Sequence, residues 1–121
     1  MDKVIKRGDL VYLNFDPIVG SEQGGPRPAV VVQNDMGNKH APTVIIAPVT
    51  SKNKKSNLPT HVKLTSHIVE RNSMVLLEQL KTVDKSRIDS YIGTLSDEEM
   101  KMIDKALRIS LAIGRYKKRS V

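Results

Sequence analysis

The segment Gly20-Ser21-Glu22-Gln23-Gly24-Gly25-Pro26-Arg27-Pro28 combines freedom and constraint in a way that suits chemistry. Its glycines give the loop wide conformational range, whereas Pro26 and Pro28 fix φ on either side of Arg27. A residue before proline is also pushed to extended geometry. Arg27 thus stands on a stiff stalk where a flexible loop meets a strand. A pre-organised guanidinium suits phosphate recognition or the charge of a transition state; a hinge loop with a salt-bridged arginine is the alternative. A second candidate is Pro48-Val49-Thr50-Ser51, a strand end that feeds the polar stretch Lys52 to Thr60. Its hydroxyls and lysines could meet a sugar-phosphate backbone, or the stretch could be a solvent-facing loop.

Other chemistries lack their residues. With no cysteine there is no disulfide framework and no thiolate metal site. His40, His61 and His67 stand in no zinc-ligand spacing. No P-loop and no nucleophile elbow occurs. Glu70, Glu78 and Asp84 are scattered carboxylates, the usual pattern of surface charge. A net charge of +7 favours an anionic partner: nucleic acid, an acidic protein or a membrane surface. The aromatics are only Tyr12, Phe15, Tyr91 and Tyr116, too few for a stacking platform, so any grip on RNA rests on charge, backbone groups and hydrogen bonds.

The elements that must position these groups read as short strands: Asp9–Phe15, Ala29–Gln33, Val44–Val49, His61–Leu64, Ser73–Gln79 and Ile88–Thr94. Their spacing leaves no room for crossover helices, so the sheet is expected to be antiparallel. Val30-Val31-Val32 and Val75-Leu76-Leu77 are continuous apolar runs that predict cover on both faces, and the alternation of His61-Val62-Lys63-Leu64 predicts one wet face. Ser96 with Glu99 forms a capping box that opens a helix. Met100, Ile103, Leu107 and Leu111 form its apolar stripe, widened by Met102, Ala106, Ile109 and Ile113. That wide arc predicts packing against more than one flat sheet. Gly114 is the expected stop. One domain over residues 1–114 and a frayed basic tail over 115–121 are expected. No stretch is apolar and long enough to span a bilayer, and the charged start Met1–Arg7 does not read as an export signal, so a soluble cytoplasmic protein is expected.

Several segments in order resemble one family. Arg7-Gly8-Asp9-Leu10-Val11-Tyr12, the Gly20–Pro28 loop and Val31-Val32-Gln33-Asn34-Asp35 are similar to the start of MazF/PemK toxins. Leu58-Pro59-Thr60-His61-Val62 and the run Val75–Arg87 are similar to their later part. The resemblance runs from about Lys6 to Gly114 and is strongest to the Gram-positive branch. It implies a mainly β chain with a C-terminal helix, as a small SH3-like β-barrel of the CcdB/PemK toxin kind, in a homodimer. It implies a toxin of a type II toxin-antitoxin system that cleaves single-stranded RNA at ACA-containing sites without a metal or other cofactor, and a MazE-like antitoxin as partner. By position it implies Arg27 and Thr50 as catalytic residues. It places Ser21, Glu22, Gln23, Gly24, Ser51, Thr60, His61 and Gln79 on the RNA-binding surface. The implied reaction is attack of a ribose 2′-hydroxyl on the adjacent phosphate, leaving a 2′,3′-cyclic phosphate and a 5′-hydroxyl. The base is not evident: arginine does not deprotonate in proteins, and His61 is the one motif residue of suitable type, although a lone histidine is more often structural. A non-enzymatic toxin that binds a topoisomerase, as CcdB does, is the alternative; the Gly24–Pro28 motif and Thr50 weigh against it.

Overall fold

The computed structural model describes residues 4–51, 58–70 and 72–114. The polar stretch after Ser51 that carries Lys52, Lys54 and Lys55, and the basic tail, lie outside the described residues. The elements run β1 (Asp9–Asn14), β2 (Pro26–Val31), α1 (Asp35–His40), β3 (Thr43–Thr50), β4 (His61–Lys63), β5 (Met74–Leu76), β6 (Lys81–Asp84), a 3-10 turn at Lys85–Arg87, β7 (Ile88–Thr94) and α2 (Asp97–Leu111). All strand pairs are antiparallel. The strand order is β4-β5-β3-β2-β1-β7, with β6 also paired to β3. The mainly β class with a C-terminal helix therefore holds, but the sheet does not close into a barrel, because β4 and β7 remain its unpaired ends.

β3 is the strand on which the architecture turns. Thr43–Ile46 pair with β6, Ile46–Pro48 with β2, and Val49–Thr50 with β5. It carries the chain from one apolar layer to the other. On one side Leu10, Val30, Val49, Val62, Val75 and Leu77 pack with Ile103 and Ala106 of α2. On the other, Val11, Leu13, Phe15, Val31, Ile46 and Ile88 form a second cluster. Alternate residues of β1 and β2 thus enter opposite layers, which explains why Val30, Val31 and Val32 are all buried. His61–Lys63 keeps the expected wet face at Lys63.

Some elements also differ from the sequence reading. β2 begins at Pro26, three residues before the expected Ala29. Its two prolines pair only with β1, since pairing to β3 starts at Ala29, and a proline is tolerated where one side of a strand is open. α1 and β6 were not expected. α1 lacks an apolar stripe and is held by its ends: the Asn34 side chain accepts from Gly37 N–H, and buried Asn38 exchanges hydrogen bonds with Gln33. β6 buries only Val83.

The capping box is formed at Ser96 and Glu99. α2 stops at Leu111, three residues before the expected Gly114, with Ala112 in the left-handed region at φ 56°. Only part of the apolar arc is covered. Ile103 and Ala106 are buried and Met100 and Leu107 pack on the core, but Met102, Leu111 and Ile113 are more than half exposed. A single chain supplies one packing surface for a helix whose arc is wider than that surface. Arg7 ties the layers at the side: its guanidinium donates to the Val32 carbonyl and pairs with Asp104 of α2 at 2.7 Å, while its backbone N–H donates to Asp35 of α1.

Candidate functional site

Arg27 sits inside β2, opposite Leu13 of β1, and its side chain folds back on its own loop. Nε and one Nη donate to the Gly24 carbonyl at 2.8 and 2.6 Å, and the other Nη reaches the Val49 carbonyl at 3.4 Å. These acceptors are neutral carbonyls. Among the described residues no carboxylate pairs with the guanidinium, so its positive charge is oriented without being neutralised. The hinge-with-salt-bridge alternative does not apply.

The loop is shaped to make that clamp. Asp16 accepts from Gly25 N–H at 3.0 Å, and the Gly25 carbonyl accepts from Phe15 N–H at 3.0 Å. A Cβ at Gly24 would lie 2.7 Å from Ile18 Cδ1 and 2.9 Å from Asp16 Oδ1. A side chain at Gly24 would therefore have to displace the ends of Ile18 and of Asp16, the residue that holds Gly25 N–H.

Thr50 closes β3, paired to Met74 of β5, and is 1% exposed. Arg27, Thr50 and Ser51 line one open cavity of about 320 Å³, together with Tyr12, Glu70 and Ser73. The two residues first singled out by type are therefore brought to one place by β2 and β3, although the buried position of Thr50 differs from that of a loop residue.

Ser21, Glu22, Gln23 and Gln79 line a second cavity of about 480 Å³, with Glu78 and Lys81. The Gln79 side chain accepts from Gln23 N–H at 2.8 Å, pinning the Gly20–Pro28 loop to the segment after β5. Pro48 lines this cavity while Val49 and Thr50 line the first, so the end of β3 separates them.

Thr60 and His61 meet at Glu78, which the sequence reading set aside as surface charge. Thr60 Oγ1 donates to one carboxylate oxygen and His61 Nε2 contacts the other, each at 2.9 Å. Burial alone would push the Glu78 carboxyl up. Its own backbone N–H, His61 and Thr60 outweigh that and hold it below the usual value. His61 Nδ1 accepts from Leu58 N–H, so Nε2 is the nitrogen that carries the hydrogen. The signal for Glu78 was present in Thr60-His61 and Glu78-Gln79, but only the pairing of His61 with Leu76 brings those segments together.

Among the described residues, no group of three His, Asp or Glu side chains is gathered closely enough to hold a metal ion, and no helix is long and apolar enough to cross a membrane.

Residues 6–111 match the family described as PemK-like, MazF-like toxin of type II toxin-antitoxin system. The chain is 48% identical over 112 residues to Endoribonuclease EndoA of Bacillus subtilis (strain 168), which covers 91% of this chain and 97% of that protein. Among solved structures, MazF (Form-I) from Deinococcus radiodurans matches with a TM-score of 0.80 at 31% identity, over 93% of this chain and 100% of that one. A chain of the MazE-MazF structure (Form-II) from the same organism matches with a TM-score of 0.74 at 30% identity, with the same coverage.

Proposed function

Because the chain belongs to the PemK-like, MazF-like family of type II toxins and is an endoribonuclease, we propose that it cleaves single-stranded messenger RNA at short ACA-containing sites in the cytoplasm, without a metal, and so halts translation and growth. The observation that carries the chemical part is the shared cavity of Arg27 and Thr50, with the guanidinium held by carbonyls and left un-neutralised.

In this reading the 2′-hydroxyl of the substrate attacks the adjacent phosphorus, and the bond to the 5′-oxygen breaks. The products are a 2′,3′-cyclic phosphate and a 5′-hydroxyl. Arg27 stabilises the extra negative charge of the phosphorane and donates a hydrogen bond toward the leaving oxygen. The Thr50 hydroxyl donates to a phosphoryl oxygen. The nucleophile comes from the substrate itself, so the chemistry needs no metal-bound water. Ser21, Glu22, Gln23, Gly24, Ser51, Thr60, His61 and Gln79 hold the flanking nucleotides, with bases seated in the second cavity. A homodimer and a MazE-like antitoxin complete the proposal; the Deinococcus relative was solved as a MazE-MazF assembly.

The test is cleavage of an unstructured ACA-containing RNA in excess EDTA, beside the same sequence as DNA. RNA should be cut and DNA spared, with a cyclic phosphate on the 5′ fragment. Cleavage that stops with EDTA and returns with magnesium would overturn the mechanism.

A further inference from the structure

Attack by a 2′-hydroxyl needs a group to take its proton, and neither Arg27 nor His61 supplies one; Glu22, the carboxylate assigned above, accepts from Val19 N–H and lines the other cavity. Arg27 stays protonated. The His61 side chain is 6% exposed, with Nδ1 occupied by Leu58 N–H and Nε2–H directed at Glu78. Both oxygens of Glu78 accept hydrogen bonds, and this carboxylate lines the other cavity. Asp9 is 3% exposed, with its oxygens taken by Lys6 N–H and the Thr94 hydroxyl.

The cavity of Arg27 and Thr50 contains three ionisable side chains among the described residues: Tyr12 from β1, Arg27 from β2, and Glu70 from the segment joining β4 to β5. Glu70 is its one carboxylate. Its backbone is anchored, because the Glu70 carbonyl accepts from both the N–H and the hydroxyl of buried Ser73, at 3.2 and 2.7 Å. Its side chain is exposed and makes no hydrogen bond or ion pair among the described residues. An anchored backbone beneath a side chain with unused lone pairs, in the cavity that Arg27 also lines, is what a general base for this reaction requires.

We propose that the Glu70 carboxylate is the general base of the cleavage step, an inference that rests on the 2′-hydroxyl mechanism above. The 2′-O–H proton passes to Glu70 as the 2′-oxygen bonds to phosphorus. The P–O5′ bond then breaks, and the departing oxygen takes a proton from water. Glu70 returns its proton to solvent before the next turnover. Arg27 keeps its charge throughout.

The experiment measures kcat and KM across pH for the full chain and its variants on a short ACA-containing RNA. The wild-type rate should show an acid limb, falling at low pH. Glu70→Gln should lower kcat by about 10²–10⁴, the range of a lost general base, with KM little changed. It should also lose the acid limb. Glu70→Ala should regain rate in proportion to added formate, which a purely structural carboxylate would not allow. Tyr12→Phe should keep the acid limb. Wild-type kcat and an intact acid limb in Glu70→Gln, or no formate response in a folded Glu70→Ala, would overturn the assignment. If the wild type cuts RNA in EDTA while the Glu70 variants behave normally, only this inference fails. If the wild type does not cut, the reading beneath it fails.

Discussion

His61 Nε2 donates to Glu78 Oε2 at 2.9 Å, while His61 Nδ1 accepts from Leu58 N–H at 3.3 Å. The imidazole is thereby fixed as a neutral Nε2–H tautomer that bridges the start of β4 and the segment after β5. With no free lone pair, His61 positions and does not abstract. His61→Gln should therefore keep kcat and raise KM by about tenfold to a hundredfold, the scale of one lost hydrogen bond to a charged group. A kcat loss of about a hundredfold, the lower end for a lost general base, would return His61 to the catalytic role.

The clamp on Arg27 leads to a second expectation. Arg27→Ala should lower kcat by at least about 10², as for a lost transition-state donor. Arg27→Lys should not restore it, because a point charge cannot donate to the Gly24 carbonyl and a phosphate in one plane. Thr50 is 1% exposed, so Thr50→Ala confounds packing with chemistry. Thr50→Ser should retain much of the activity and Thr50→Val should lose it, both with cooperative thermal melts. Equal activity in Ser and Val variants would remove the hydroxyl from the mechanism.

What the sequence disclosed and what it hid follow from the range of the interactions. The capping box was legible because Ser96 and Glu99 lie within one turn, and the double-sided burial of Val30–Val32 was legible because no polar residue interrupts it. β6 was hidden because Lys81-Thr82-Val83-Asp84 has one apolar residue and becomes a strand only through its pairing with β3. α1 was hidden because its stability comes from Asn34 and Asn38, not from a stripe. Glu70 and Glu78 looked alike as isolated carboxylates. The fold gives Glu78 to Thr60 and His61 and places Glu70 in the cavity that Arg27 lines.

Glu99 links pH to stability. It is 5% exposed and accepts from Ser96, Thr65 and Ser66 N–H groups and from the Ser96 hydroxyl. Burial by itself would raise its carboxyl, but these donors together hold it below the usual value. A depressed folded-state value contributes stability that is complete above the ordinary carboxylate range and is lost as pH falls through the folded value. The unfolding midpoint should therefore drop as pH falls through and below the ordinary carboxylate range, and less steeply in Glu99→Gln. Glu99→Ala should cost about 1–3 kcal/mol at neutral pH, because three part-buried hydrogen bonds to a charged acceptor are lost. A pH profile identical in wild type and Glu99→Gln would refute this role.

The uncovered flank of α2 bears on assembly. Met102 and Leu111 on α2, and Ile113 just past its end, are each more than half exposed, although the helix already packs Ile103 and Ala106 into the core. A homodimer is proposed for this chain, and symmetric dimers are the commonest oligomer. Light scattering at micromolar concentration should give the mass of two chains. The mass of one chain would mean that the RNA groove is built by a single protomer.

Restraint by an antitoxin gives the last expectation. A net charge of +7 and a cavity that includes Lys81, beside an arginine with no carboxylate partner among the described residues, suit an acidic, extended segment that orders on binding. Such a segment would occupy the surface that RNA needs, so a peptide copied from the acidic C-terminus encoded by the neighbouring gene should inhibit cleavage competitively, raising KM and leaving kcat. Charge should set the association rate, which should fall as salt rises. Apolar burial is insensitive to that screening and should set the residence time, so high salt should weaken the complex without abolishing it. Arg27→Ala and Lys81→Ala should each weaken the peptide as well as RNA if the two share one surface. A peptide that binds while RNA is still cut at full rate would place the antitoxin elsewhere and separate control from catalysis.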